Sequence, residues 1–475
     1  MECLMSINPL QTYSPQKSIY KIHDGLRVTV AIDKNPYRIP LDVLFSMAAR
    51  KNPKRQFLFV SKVLGKHIPV SPLLPLLSGA ALALQYLKIV FNISIEYEND
   101  IIEAVVCQKK MKETYTKLKL QPFPLPEKAV FIGFAETATA LGHSMFDCFS
   151  DNGIYIHTTR EAIVDLETVI SFEEEHSHAT AHRLYSSRED LLKTQAQVVL
   201  IDDEITTGKT ALNIIEAIQA KYPRKRYVVV SLLDWRSEEE RDKFIEMEKR
   251  LNIEIVSVAL ISGTISINEE GIYKTETDVP GNYSTLPTRS SETHYIDLSN
   301  LFKATLHYSS INSLGEINNC PYLSATGRFS ISSVENKDYI GYIHKIAPSF
   351  FIGNEEDKIL CLGTGEFMFL PMQLAAAIKG KVSYQSTTRS PIHAINKENY
   401  GVLNAFSFEN TDEPSLINYL YNIPINYYDR LYLFLEREVS EERLKPILQT
   451  LNNLGIPQIF VVNCSLTDKL ERGPK

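Results

Sequence analysis

From residue 129 onward the chain alternates short β-branched runs with amphipathic stretches, and this alternation constrains the fold more than any other feature. AVFIG (129–133), GIYIHT (153–158), QVVLI (197–201), YVVVSLL (227–233) and IEIVSVALI (253–261) have the length and composition of buried strands. Between them TATALGHSMFDCF, GKTALNIIEAIQ and SEEERDKFIEMEKRL carry helical periodicity. Strand and helix alternating in this way imply a mainly parallel sheet with helices on its faces. The pattern fails between residues 263 and 326, where PGNYSTLPTRSSETH is rich in turn formers. It resumes in KILCLG, a helix through Ala375, VSYQST, RLYLFL, EERLKPILQTLNNLG and IPQIFVVN.

The two alternating regions resemble each other. IGFAE (132–136) is matched by LGTGE (362–366), IHTTR (156–160) by QSTTR (385–389), and VVLIDDEIT more loosely by LYLFLEREVS (431–440). The order of the three matches predicts a duplicated α/β unit whose second copy is degenerate. Upstream, LRVTVAI and RQFLFVS read as strands flanking a basic loop, and a charged helix is expected near 100–118 before the proline break QPFPLPEK. LLPLLSGAALALQYLKIVF is apolar, but Pro75, Ser78, Gly79, Gln85 and Lys88 make it a packed helix rather than a membrane span. The expected organisation is an N-terminal extension (1–24), a first α/β domain (25–265), a partly packed linker (266–326) and a smaller α/β domain (327–475).

A net charge of −7 gives no electrostatic reason to expect nucleic-acid binding. The six cysteines are scattered without a CxxC pair, as in a protein of a reducing compartment, and MECLMSINPLQTYSP lacks the features of a signal peptide. The expectation is a cytoplasmic protein without membrane or nucleic-acid partners.

The chemistry concentrates in VVLIDDEITTGKTA (198–211). Two carboxylates closing an apolar strand are costly unless they bind something, and the junction of strand and helix is where open α/β sheets bind ligands. Thr206, Thr207, Gly208, Lys209 and Thr210 place small and hydroxylated residues at a helix N-terminus, whose free N–H groups and dipole suit a phosphate. Asp202 and Asp203 would repel that phosphate and instead suit a vicinal diol. A sugar phosphate satisfies both halves. The nucleotide P-loop suggested by GKT requires glycine where Asp203 stands; a capped helix beside a solvated acidic turn is the structural alternative.

At these residues the chain resembles the type I phosphoribosyltransferases. The resemblance implies 5-phosphoribosyl 1-diphosphate (PRPP) as substrate, Mg²⁺ travelling with it, Asp202 and Asp203 on the ribose hydroxyls, and 206–210 around the 5′-phosphate. It implies a diphosphate loop at Gly133, Phe134, Ala135, Glu136 and Thr137, where the Glu136 carboxylate needs Mg²⁺ or must face the acceptor. It also implies a hood between the second and third core strands, carrying Arg160, Glu175, His176 and His178 as candidate catalytic or acceptor-binding groups. His178 with His182 would suit a metal, although no third ligand is evident. STTRSPI (386–392) is similar to the motif of the TRSP domain, which follows orotate phosphoribosyltransferase-like domains in tellurium-resistance gene neighbourhoods. That domain has Glu366, Thr388, Arg389 and Ser390 as a candidate second ligand site. The resemblance implies small-molecule partners only, transfer to a nitrogenous, base-like acceptor in the making of a nucleoside-like metabolite, and a homodimer as one assembly such a chain can form. A PRPP-binding regulator without turnover is the alternative.

Overall fold

The computed structural model describes residues 17–23, 26–51, 56–173, 181–269, 289–302, 305–351 and 353–467. Two sheets organise them. The larger has eight strands in the order Lys17–His23, Leu26–Lys34, Glu254–Glu269, Arg226–Asp234, Gln197–Ile205, Ala129–Gly133, Gly153–His157, Ile331–Ser332. The five from Glu254–Glu269 to Gly153–His157 are parallel, and the flanking strands run antiparallel. The smaller sheet is wholly parallel: Glu292–Asp297, Gln458–Asn463, Arg430–Leu435, Lys358–Gly363, Lys381–Ser386.

Apolar residues on both faces explain why the central strands read as continuous runs. Val199 and Ile201 pack with the buried helix Leu73–Phe91, while Val198 and Leu200 pack with the helices Lys209–Lys221 and Glu238–Leu251. Leu73–Phe91 is the one helix, among the described residues, long and apolar enough to cross a membrane; 78% of its most apolar window lies inside the protein. The charged helix expected near 100–118 is two helices, Glu98–Cys107 and Met111–Leu120. They are separated where Gln108 and Lys110 adopt positive φ, which ends a helical run.

The duplication is visible in the topology. Glu254–Glu269, Arg226–Asp234, Gln197–Ile205, Ala129–Gly133 and Gly153–His157 recur, in the same lateral order and all parallel, as the five strands of the smaller sheet. Only the outermost differs in origin, Glu292–Asp297 preceding its unit in the chain. Hydrogen bonds repeat with the strands. The Thr158 N–H donates to Gly133 O and the Ala135 N–H to Thr158 Oγ1; in the second unit Thr387 donates to Gly363 O and Gly365 to Thr387 Oγ1.

The two units also exchange edges. Ile331 pairs with Tyr155 at the outer edge of the first sheet, and Val70 pairs with Tyr384 at the outer edge of the second. Each capping segment contains a glycine lying over the tyrosine ring. A Cβ on Gly65 (φ +66°) would stand 2.8 Å from Tyr384, and one on Gly327 (φ +78°) 2.5 Å from Tyr155. After each glycine comes a buried cation, Lys66 or Arg328. The described part of the segment that the sequence presents as a basic loop (56–70) and the end of the linker (to 326) therefore lead into equivalent pieces of the duplicated unit.

Candidate active site

The strand Gln197–Ile205 runs four residues past the apolar stretch that ends at Ile201. Its pairing with Ala129–Gly133 stops at Ile201, but pairing with Arg226–Asp234 continues to Ile205. Asp202 and Asp203 therefore stand half-buried in the last strand residues, with one flank open, instead of in the turn itself. The Asp203 N–H donates to Asp202 Oδ1 at 3.0 Å. The turn is only Thr206–Thr207–Gly208, and the helix begins at Lys209. Gly208 has φ +74°, and an added Cβ would lie 2.5 Å from the Phe244 ring and 3.2 Å from Arg236 Cδ. The N-cap residue Gly208 has no side chain to cap this helix; the Lys209 N–H donates to Thr207 Oγ1 at 3.3 Å, and the N-terminus otherwise opens onto the bend. The backing is rigid. Arg236 stacks on Phe244 with its guanidinium carbon 4.1 Å from the ring centre, and its Nη2 lies 2.7 Å from Asp234 Oδ2 in a buried ion pair.

The GFAET loop (133–137) lies alongside this bend, since the Phe134 N–H donates to Ile201 O at 3.1 Å. The Ala135–Glu136 peptide is cis. Gly133 is required for packing: a Cβ would come within 2.6 Å of Ala138 O and of the Tyr155 hydroxyl. Thr158 Oγ1 accepts from the Ala135 N–H at 2.9 Å and lies 3.1 Å from His182 Nδ1, linking loop and hood. The hood includes the hairpin Thr168–Glu173/Ala181–Tyr185, whose first strand packs against Lys209–Lys221. Glu175, His176 and His178 lie outside the described residues. Among the described residues no group of three or more His, Cys, Asp and Glu side chains is placed to hold a metal.

Glu136 and Arg160 point elsewhere. Both line a cavity of about 990 Å³ that opens over the second sheet, and the lining includes none of residues 202–210. Glu136 is paired with Lys66, Nζ to Oε1 3.0 Å, both largely buried. Burial opposes ionisation of Glu136, but Lys66, Arg389 and Arg160 outweigh it and hold the carboxyl below its ordinary range. The carboxylate that seemed awkward beside diphosphate is thus neutralised in the contact between units. Its counterpart Glu366 does the same from the other side, accepting from Thr159 Oγ1 (2.7 Å) and from the Arg160 N–H (2.9 Å), and pairing with Arg328.

The expected second ligand site divides in the same way. Glu366 is engaged, and Thr388 and Ser390 shape the loop, while Arg389 reaches the cavity. Four residues of this inter-unit cluster carry no motif in the sequence. Arg328 binds Glu161 (3.1 Å), Glu436 (3.0 Å) and Glu366, and Arg437 binds Glu161 at 3.1 Å. Burial opposes ionisation of Glu161, but Arg328 and Arg437 prevail and hold its carboxyl down at about 2. Burial pushes Glu436 up. The one available signal was the pair Gly65–Lys66 and Gly327–Arg328, each ahead of a short strand.

A phosphoribosyl transferase family model matches residues 44–264, and the TRSP domain described as C-terminal to that transferase matches residues 325–451. No curated protein matches the chain. Among solved structures, adenine phosphoribosyl transferase from Trypanosoma brucei is similar at 12% identity, over 51% of this chain and 86% of its own, with a TM-score of 0.25. Adenine phosphoribosyltransferase from Rhodothermus marinus is similar at 17% identity, over 32% and 80%, with a TM-score of 0.21. A hypoxanthine phosphoribosyltransferase from Staphylococcus aureus is similar at 15% identity, over 26% and 60%, with a TM-score of 0.17. The chain belongs to the family in which a phosphoribosyl transferase domain is followed by a TRSP domain.

Proposed function

We propose that the bend at 202–210 binds PRPP and that the chain transfers its 5-phosphoribosyl group to a nitrogenous, base-like acceptor, releasing diphosphate. The observation that carries this reading is the juxtaposition at one strand end. A half-buried carboxylate pair suited to a diol stands next to a glycine-opened helix N-terminus suited to a phosphate. In this reading Asp202 and Asp203 accept hydrogen bonds from the ribose 2′ and 3′ hydroxyls. Residues Thr206, Thr207, Gly208, Lys209 and Thr210 surround the 5′-phosphate, and the GFAET loop meets the diphosphate. The bond between ribose C1 and diphosphate breaks as the acceptor nitrogen bonds to C1, and the protein acts by positioning and by stabilising charge.

The donor set suits Mg²⁺ carried by the substrate. Two half-exposed carboxylates supply hard oxygen ligands, as Mg²⁺ prefers when substrate phosphates supply the rest. When bound, the ion would neutralise the departing diphosphate. The test is Asp202→Asn combined with Asp203→Asn. Each charged hydrogen bond lost is worth about 1.5–3 kcal/mol, so PRPP-dependent release of diphosphate should fall by at least about a hundredfold with the fold intact by circular dichroism. Unchanged kinetics would refute the assignment.

A further inference from the structure

The cavity over the second sheet occupies the position, in the second unit, that the 202–210 bend occupies in the first. Its lining includes Thr364, Thr387 and Leu435 at the ends of three strands, and Ser440 and Glu442 at the start of the helix Glu441–Asn452. The groups suited to PRPP are missing there. The shared strand register places Leu435 where Asp202 stands and Glu436 where Asp203 stands, and Glu436 is tied to Arg328. The helix N-terminus is closed by Ser440, whose side chain accepts from the Arg443 N–H, and its first turn carries Glu441 and Glu442. A phosphate cradle is therefore absent, yet the cavity has kept a volume of about 990 Å³.

The TTRSP loop explains what the cavity keeps instead. Thr387 Oγ1 accepts the Gly365 N–H, Thr388 exchanges backbone hydrogen bonds with Tyr419, and the Ser390 N–H donates to Thr388 Oγ1. The Ser390 carbonyl accepts from the Tyr421 hydroxyl, and the Pro391 carbonyl from the Lys51 N–H. Every residue of the motif except Arg389 is engaged in holding the loop. Arg389 lines the cavity, and no described residue makes a hydrogen bond or ion pair with it.

Two more arginines line the same cavity from the first unit. They are Arg160, equivalent in position to Arg389, and Arg183, whose Nη1 donates to Arg160 O at 3.1 Å. The buried carboxylates of the lining have partners, Glu136 pairing with Lys66 while Glu161, Glu366 and Glu436 share Arg328 and Arg437, three acids to two arginines. Asp412, exposed on the same lining, also faces Arg389. Glu413, Glu438 and Glu442 also line the cavity, which disfavours a polyanion. We propose that this cavity binds a small molecule bearing a single oxyanion, carboxylate or phosphate, through Arg389 with Arg160 and Arg183. Planar guanidinium groups are suited to both oxyanions. The site goes beyond the PRPP reading and does not depend on it.

The test is calorimetric titration of the full-length protein with benzoate and, separately, with inorganic phosphate, for the unmodified chain, Arg389→Ala, Arg389→Lys and Thr207→Val. Loss of a charged hydrogen bond predicts affinity for at least one anion about ten- to a hundredfold weaker in Arg389→Ala. Arg389→Lys should recover part of it. Thr207→Val, in the other cleft, should leave the Arg389-dependent binding of benzoate unchanged and remove only phosphate bound at 206–210, and thermal unfolding of all variants should coincide. Which anion binds tells whether a carboxylate or a phosphate is the natural group. Binding of neither anion at millimolar concentration, equal binding in Arg389→Ala, or loss only in Thr207→Val would overturn the proposal.

Discussion

Replacing Arg328 with Met tests whether the ion cluster between the units is organised as described. The Arg328 side chain is 2% exposed and binds Glu161, Glu366 and Glu436, with Nη1 also 2.7 Å from Thr159 Oγ1. Methionine has similar reach and no charge, so Glu366 and Glu436, 9% and 7% exposed, lose their shared cation in a buried setting. Breaking such a pair from one side costs about 3–5 kcal/mol, a large share of a typical total of about 5–15 kcal/mol. With a urea dependence of about 3 kcal/mol per M, the unfolding midpoint should drop by about 1–1.7 M. The pH dependence is more diagnostic. In the unmodified protein Arg328 helps hold Glu161 at about 2 and Glu366 below its ordinary value, so their contribution is complete above the unfolded carboxyl range and fades only as pH falls through the folded values. In the variant, burial without the cation raises the same carboxyls, so the penalty is greatest at pH 8 and is relieved by protonation as pH falls. The difference between the two proteins should shrink from pH 8 to pH 5. A difference below about 1 kcal/mol, or one constant over that range, would contradict the cluster.

Lys66→Met should destabilise by a comparable amount because Glu136 is then left buried and unpaired, and adding Glu136→Gln should recover part of the loss; additive effects in the double variant would mean that the two do not interact. Burial lowers His67 and His143 to about 3 and, with Arg328 assisting, His157 to about 4, so the folded protein binds fewer protons than the unfolded chain below pH 6.5. Stability from these groups is complete above that pH and is lost as pH falls, by about 2 kcal/mol for each at pH 5, and equal urea midpoints at pH 7.5 and pH 5 would contradict it.

Much of the frame was legible because it is written in local pattern. Strands such as Val198–Ile201 are apolar on both faces, and the DDEITTGKT bend joins residues adjacent in sequence. The strand's continuation to Ile205 was not legible, because Asp202, Asp203 and Glu204 have poor strand propensity and are held by pairing with Arg226–Asp234. The break at Gln108–Lys110 was hidden for a related reason, since both residues are ordinary helix formers that here adopt left-handed backbone. The inter-unit cluster joins residues as distant as Lys66 and Thr387, or Glu161 and Arg437, and nothing in local composition reports such pairings. Duplication was the one long-range signal. It foretold a second, degenerate α/β unit but not that Glu136 and Glu366 would cross over to face the opposite unit.

The two clefts are best understood as one frame under two sets of demands. Where Asp202, Asp203 and Gly208 persist, the strand end presents paired carboxylates and a glycine-opened helix N-terminus at adjacent points, and only a ligand with both a diol and an anion uses them together. Where Leu435 and a Ser440 cap have replaced them, neither half of that ligand has a partner. The surrounding architecture, however, is conserved between the units down to the glycine over the edge tyrosine, the cation after it and the threonine that receives the loop N–H. Those features hold loops and edges in place, so each unit needs them whatever its cleft binds. Arg389 is different. Its charge helps hold the Glu136 carboxyl down, but among the described residues it makes no hydrogen bond or ion pair, which leaves a partly buried guanidinium on the cavity lining with donors to offer a ligand. The same reasoning that separates the bend at 202–210 from an ordinary helix start therefore separates Arg389 from the rest of its motif.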